Sequence, residues 1–318
     1  MKINWFDPRH FESDKPLVVN GYPAAPLVAG IAHGRLSYKS EFEIKAALNH
    51  YGWGATLYSP GGDTRKERRA TKGRPAGAQA YTALHAATKI AILAFRGSEG
   101  REFFRDWLMT DLRAGIMRRM PGKLPDKVRC GWGFQAPVEE LWPVILEIAK
   151  MQAKGWKLIM LGHSMGADLA HLAAGRLICE ELIYPDLVIG YEPAKLWNRI
   201  GQGWQWTLVN SKKPFRSYTF MNSERGHLDL ITDLPPWARH GGWLLVAGED
   251  KVYTGEGALR RYNEGKPPYR HRLPGWRPIS RLFARLGNRA QGRIGAHLGD
   301  HIVEKLERLY LEGQMGHV

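Results

Sequence analysis

Cysteine is scarce in this chain. Cys130 and Cys179 are the only two among 318 residues, too few for a disulfide framework and at no metal-ligand spacing. Both read as small buried hydrophobes. No run of about 18 apolar residues occurs, which argues against a helical membrane span. The opening residues, MKINWFDPRHFESDK, carry charges where a secretory leader needs an uninterrupted apolar run. The expectation is a soluble protein, cytoplasmic by default, with signal-less export or release by lysis as other routes. Acidic residues are also few, 31 against 46 Lys and Arg, for a net charge of +15. That excess favours anionic surfaces such as phospholipid headgroups, nucleic acid or an acidic partner, without choosing among them.

What is present is ordinary globular material: 44% hydrophobic and 24% charged residues. Residues 1–30 read as a wrapping arm rich in Pro, Gly and aromatics. The stretch 37–53 predicts a helix with Phe42, Ala46, Leu48 and Asn49 near one face. AQAYTALHA and KIAILAFRG predict adjacent strands. Phe104, Leu108, Leu112 and Ile116 recur every four residues and predict an amphipathic helix over 98–116. A stronger helix covers 136–155, stopped at Gly155. KLIMLG, DLVIGYEP and RSYTFMN predict further strands, WLLVAGEDKVYTG a hairpin, and DHIVEKLERLYLEG a closing helix. Alternating helices and buried apolar strands indicate an α/β fold, a mostly parallel central sheet flanked by helices.

At the centre of KLIMLGHSMGADLAHLAAGRL, residues 162–166 spell G-x-S-x-G. In a chain with 36 glycines the pentapeptide alone is weak. Its setting is not, because an apolar strand enters it and a helix leaves it, as a nucleophile elbow requires. Gly162 and Gly166 would let strand and helix approach while Ser164 occupies a strained turn. The Met165 N–H, at the helix N-terminus, would face a developing oxyanion. A serine nucleophile needs a base and an orienting carboxylate. Asp229, just beyond the RSYTFMN strand, and His297, before the terminal helix, are the candidates. His163, His171 and His227 read as structural.

Four segments, in order, resemble the class 3 lipases, the fungal and plant type α/β-hydrolases. AFRGS (94–98) resembles that family's F-R-G-[ST] strand end, and FRDWLMTDL (104–112) its W-x-x-D-L region. GHSMGADLAHLAA (162–174) is similar to G-H-S-L-G-G-A-L-A. DLITDLPP (229–236) resembles D-I-V-P-R-L-P-P, whose leading Asp is the triad acid. The resemblance implies one α/β-hydrolase domain over 1–318, with Ser164 as nucleophile and Asp229 as acid. It implies Ser98 and Met165 as oxyanion donors, and a helical lid over 99–118. His297 fits the family's base before a terminal H-x-x-x-x-Y-[IL]-x-x-L helix, with Ile302 at the tyrosine position. His301 is the alternative base, a poorer match, and Asp233 the alternative acid. YEPAKLWN lacks the Gly and Arg of the family's G-x-P-R-x-G-N.

The implied reaction is hydrolysis of lipid or small carboxylic esters through an acyl-enzyme, by a lipase, esterase or phospholipase. It needs neither metal nor cofactor. An acyltransferase or thioesterase would use the same triad. A basic binding protein on a hydrolase scaffold would use none of it. In residues 260–293 ten Lys or Arg accompany a single acid, Glu264, and Arg277, Arg281, Arg285, Arg289 and Arg293 recur every four positions. A solvated basic face, an anionic-membrane contact and a nucleic-acid or protein contact all remain open readings.

Overall fold

The computed structural model describes residues 3–12, 16–59, 79–97, 116–120, 122–210, 215–224, 227–228, 238–248, 250–254 and 301–315. The basic segment 260–293, Ser98, Asp229, Asp233 and His297 lie outside them. So does the expected lid, except at its end, where Met117–Arg118 pairs antiparallel with Cys130–Gly131 as a small two-stranded ladder.

Among the described residues, strands β1 (Val18–Val19) and β2 (Tyr22–Pro23) form a small ribbon. Helices α1 (Ala25–Leu36) and α2 (Glu41–Asn49) follow, then β3 (Gly54–Tyr58), β4 (Ala80–His85) and β5 (Ile90–Phe95). The ladder strands at 117–118 and 130–131 are β6 and β7. Next come α3 (Gln135–Ala149), β8 (Lys157–His163), α4 (Met165–Glu181), β9 (Leu187–Tyr191), α5 (Arg199–Val209) and β10 (Arg216–Glu224). β11 (His227–Leu228), β12 (Trp243–Ala247), β13 (Val252–Thr254) and α6 (His301–Met315) complete them. The central sheet runs β13-β12-β10-β9-β8-β5-β4-β3, with β11 added on β10. β5, β8, β9, β10 and β12 are mutually parallel, and β3, β4 and β13 are antiparallel to their neighbours.

The parallel block explains the near-continuous apolar strands. Ala91, Leu93, Phe95, Leu158, Met160 and Val188 face one core with α3 and α4. Ile90, Ile92, Ala94, Ile159, Leu161 and Ile189 face the other, with α1 and α6. Alternate side chains point to opposite faces, and helices cover both. Each fully buried Leu or Ile contributes roughly 1.5–3 kcal/mol.

Residues 1–30 are only partly an arm, because Ala25–Leu36 is a core helix with ten of its twelve residues buried. The arm proper is fastened to the far end of the chain, where Trp5 Nε1–H donates to Glu307 of α6 at 3.0 Å. In α2, Ser40 and Glu43 close a capping box. Its buried face is Ile44 and Leu48, and Phe42 is 81% exposed. The i, i+4 pair wins over the face predicted through Phe42. Helix α3 passes into a short 3-10 turn that ends at Gly155, φ 77°.

Two histidines are sealed into these layers. His33 donates from Nδ1 to the Tyr81 hydroxyl at 2.9 Å, and that hydroxyl donates to the His33 carbonyl at 2.9 Å. Phe6, Phe11 and Trp53 surround the ring. Burial, with His10 nearby, lowers its pKa to about 3. His171 on α4 lies 3.1 Å from Ser217 Oγ and 3.3 Å from Thr219 Oγ1, and burial lowers it to about 4. Unfolded, both titrate near 6.5. As pH falls below that value the unfolded chain takes up protons that the folded chain refuses, so stability is lost from about pH 6.5 downward. By pH 4.5 each ring should remove roughly 3 kcal/mol. Urea midpoints should therefore fall steeply between pH 7 and 4.5, and His171→Gln should flatten that slope.

Candidate active site

The apolar run of β8 carries the chain to the carboxyl edge of the sheet, where the parallel strands end and ligands bind in open α/β folds. Ser164 follows with φ 54° and ψ −128°, a strained conformation for a residue with a Cβ. Its N–H donates to the Tyr191 carbonyl on β9 at 2.8 Å, and its carbonyl accepts the Ala167 N–H at 2.9 Å to open α4. The 17 residues of α4 place the Met165 N–H at the positive end of a helix dipole. The turn exists because two glycines permit it. A Cβ on Gly166 would drive into the Phe95 carbonyl of β5, and one on Gly162 into the Gly166 carbonyl. Gly166→Ala should lower the thermal midpoint by at least about 5 °C, read by calorimetry.

β5 leaves the sheet beside this turn. Arg96 is tied to Gln79 twice, backbone N–H to carbonyl at 2.9 Å and guanidinium to Oε1 at 2.6 Å. At Gly97 a Cβ would meet the Tyr38 hydroxyl, lie 2.5 Å from the His163 carbonyl and 3.1 Å from Ser164 Cβ. The FRGS and GHSMG segments thus abut, and the residue before Ser98 lies against the Ser164 turn.

Behind the turn, His163 is fully buried. Its Nδ1 is 2.7 Å from the Tyr38 hydroxyl and its Nε2 is 3.5 Å from Glu192 Oε2. The Tyr191 ring lies across it, centroids 4.7 Å apart. Neither His163 nor His171 reaches solvent, the first lying against the Tyr38 hydroxyl and the second against Ser217 and Thr219. Asp168, on the first turn of α4, accepts the Ala194 N–H at 3.1 Å and holds the chain that leaves β9. Burial raises the Cys130 thiol to about 11, so it carries no thiolate at neutral pH.

The acid and base candidates are approached only through their neighbours. Leu228, next to Asp229, pairs with Ser223 near the carboxyl end of β10, two strands over from β8. His301 opens α6 with its side chain 89% exposed and 3.3 Å from Glu304 of its own helix. Among the described residues no group of three or more His, Cys, Asp or Glu is placed to hold a metal. Nor is any helix long and apolar enough to cross a membrane. The sequence reading overlooked Tyr38 and Glu192. One signal for Glu192 was available, an acid between a buried strand and Pro193.

No protein-family model matches the sequence, and no curated protein matches it. Solved structures do. A lipase from Rhizopus microsporus var. chinensis superposes with a TM-score of 0.54 at 14% identity, covering 76% of this chain and 85% of that one. The chain has the fold of the fungal lipases. Nonglycosylated LIP2 lipase of Yarrowia lipolytica gives 0.53 at 16%, covering 74% and 83%. Lipase II of Rhizopus niveus gives 0.50 at 18%, covering 71% and 80%. The mostly parallel sheet and flanking helices are those the element order predicted, and their α/β-hydrolase form is the one the class 3 lipase resemblance implied.

Proposed function

We propose that the protein is a serine hydrolase of carboxylic esters, with lipid esters as its substrate class. The observation that carries this reading is Ser164, held strained at a strand-to-helix turn with Gly97 of FRGS pressed against it. A triacylglycerol lipase whose catalytic centre is a serine protease triad is among the structures of similar fold, with a TM-score of 0.52 at 18% identity. In this reading His297, oriented by Asp229, takes the Ser164 proton as Oγ attacks the ester carbonyl. The Met165 and Ser98 N–H groups hold the oxyanion. The imidazolium protonates the departing alcohol, and water then releases the acid from the acyl-enzyme.

A fluorophosphonate probe tests this directly. The protein should label stoichiometrically at Ser164 and hydrolyse p-nitrophenyl butyrate, and prior labelling should stop hydrolysis. An unlabelled, inactive and folded protein would overturn the proposal.

A further inference from the structure

We propose that Tyr38, His163 and Glu192 act as positioning residues, a buried relay that fixes the Ser164 turn against the backbone entering Ser98. This inference rests on the serine-hydrolase reading above.

Three separate chain segments meet here. Tyr38 lies between α1 and α2, His163 ends β8, and Glu192 follows β9. Glu192 Oε2, 3.5 Å from His163 Nε2, is long for a hydrogen bond, yet a carboxylate in a buried site favours the tautomer with its proton on Nε2. With the proton on Nε2, Nδ1 becomes an acceptor, and the Tyr38 hydroxyl donates to it across 2.7 Å. The Tyr38 oxygen then keeps its lone pairs toward Gly97, which it approaches so closely that an added Cβ would meet it. Glu192 thereby sets the direction of the chain, and Tyr38 delivers it to the backbone beside the nucleophile. Burial holds the Tyr38 phenol above its usual range, so it stays a donor at any pH of interest. Arg35 and Arg96 flank its ring, with guanidinium carbons 5.6 and 5.7 Å from the centroid.

The relay is expensive to keep. Glu192 is fully buried, and its φ of 48° lies where a side chain is disfavoured. Its N–H is bound to the Phe220 carbonyl of β10 at 2.8 Å, which holds the residue in that conformation. Ser164 is strained at the neighbouring strand end and bound to Tyr191, the residue before Glu192. Two strained residues of adjacent strands, joined through one histidine, form a rigid seat for the reacting serine. Gly97 fits that seat because a side chain there would meet both Tyr38 and the turn.

Tyr38→Phe and Glu192→Gln test this, each assayed with p-nitrophenyl butyrate and its thionoester analogue. Titration with a fluorophosphonate counts active sites, so any unfolded fraction drops out. Misplacing the oxyanion side of the site by a fraction of an ångström should lower kcat about 10- to 100-fold with KM within about twofold. The ester-to-thionoester rate ratio should fall with it, because the donors no longer discriminate oxygen from sulfur. A purely structural role would lower the number of active sites and leave kcat per site and that ratio unchanged. That result overturns the inference and leaves the serine reading intact. A wild-type protein that neither labels nor turns over ester overturns both.

Discussion

Ser164→Ala will lower kcat for p-nitrophenyl butyrate by at least about 10⁴-fold and abolish fluorophosphonate labelling, with the thermal midpoint unchanged. The size of the loss follows from the role. Without the hydroxyl no acyl-enzyme forms, and the remaining oxyanion donors can only assist direct attack by water. The unchanged midpoint follows from the backbone. Alanine keeps the Cβ, so the strain at φ 54° is the same in both proteins. Ser164→Gly separates the two effects. It should be equally inactive yet about 1 kcal/mol more stable, because glycine accepts that conformation. Activity surviving in Ser164→Ala would remove the serine from the mechanism.

The second large effect divides the histidines. His297→Ala should lower kcat by about 10³-fold or more, the loss expected when a triad base is removed. His301→Ala should change kcat by less than about twofold, because that ring is 89% exposed and faces Glu304. Among the acids, Asp229→Asn should approach a 10⁴-fold loss, since an amide cannot hold the imidazolium, and Asp233→Asn should not. Steady-state kinetics on the four variants decides both assignments. If His301→Ala and Asp233→Asn prove to be the inactive pair, both roles transfer to them.

The fold was legible where both faces of a strand are covered. β5, β8 and β9 are buried along nearly their whole length, so their apolar runs needed no periodicity to be found. Helix α1 escaped for the same physical reason turned around. A helix buried on nearly all sides has no polar face, and its Ala, Gly, Leu, Val and Ile residues are spread around it, so the 3.6-residue signal vanishes. Helix α5 was missed because Gly201 and Gly203 interrupt its pattern. Its buried Gln205 instead accepts the Gly242 N–H at 3.0 Å, a tertiary contact invisible in the local sequence. Ser164 was legible because its turn imposes a local rule, glycine two residues to either side. Tyr38 was not, because its partner His163 lies 125 residues away. No spacing within one segment encodes such a meeting.

That distance bears on how the protein acquires its chemistry. The seat of Ser164 is assembled from residues 38, 97, 164 and 192, brought together by parallel strands that pair only after long crossovers close. Contacts so far apart in sequence must meet a loop-closure entropy cost before they stabilise the fold. A chain still emerging during synthesis, or one halfway through refolding, can hold its helices and its β4–β5 hairpin and yet have no aligned nucleophile. The turn depends on distant partners, so Ser164 is aligned only once β5, β8 and β9 have paired around it.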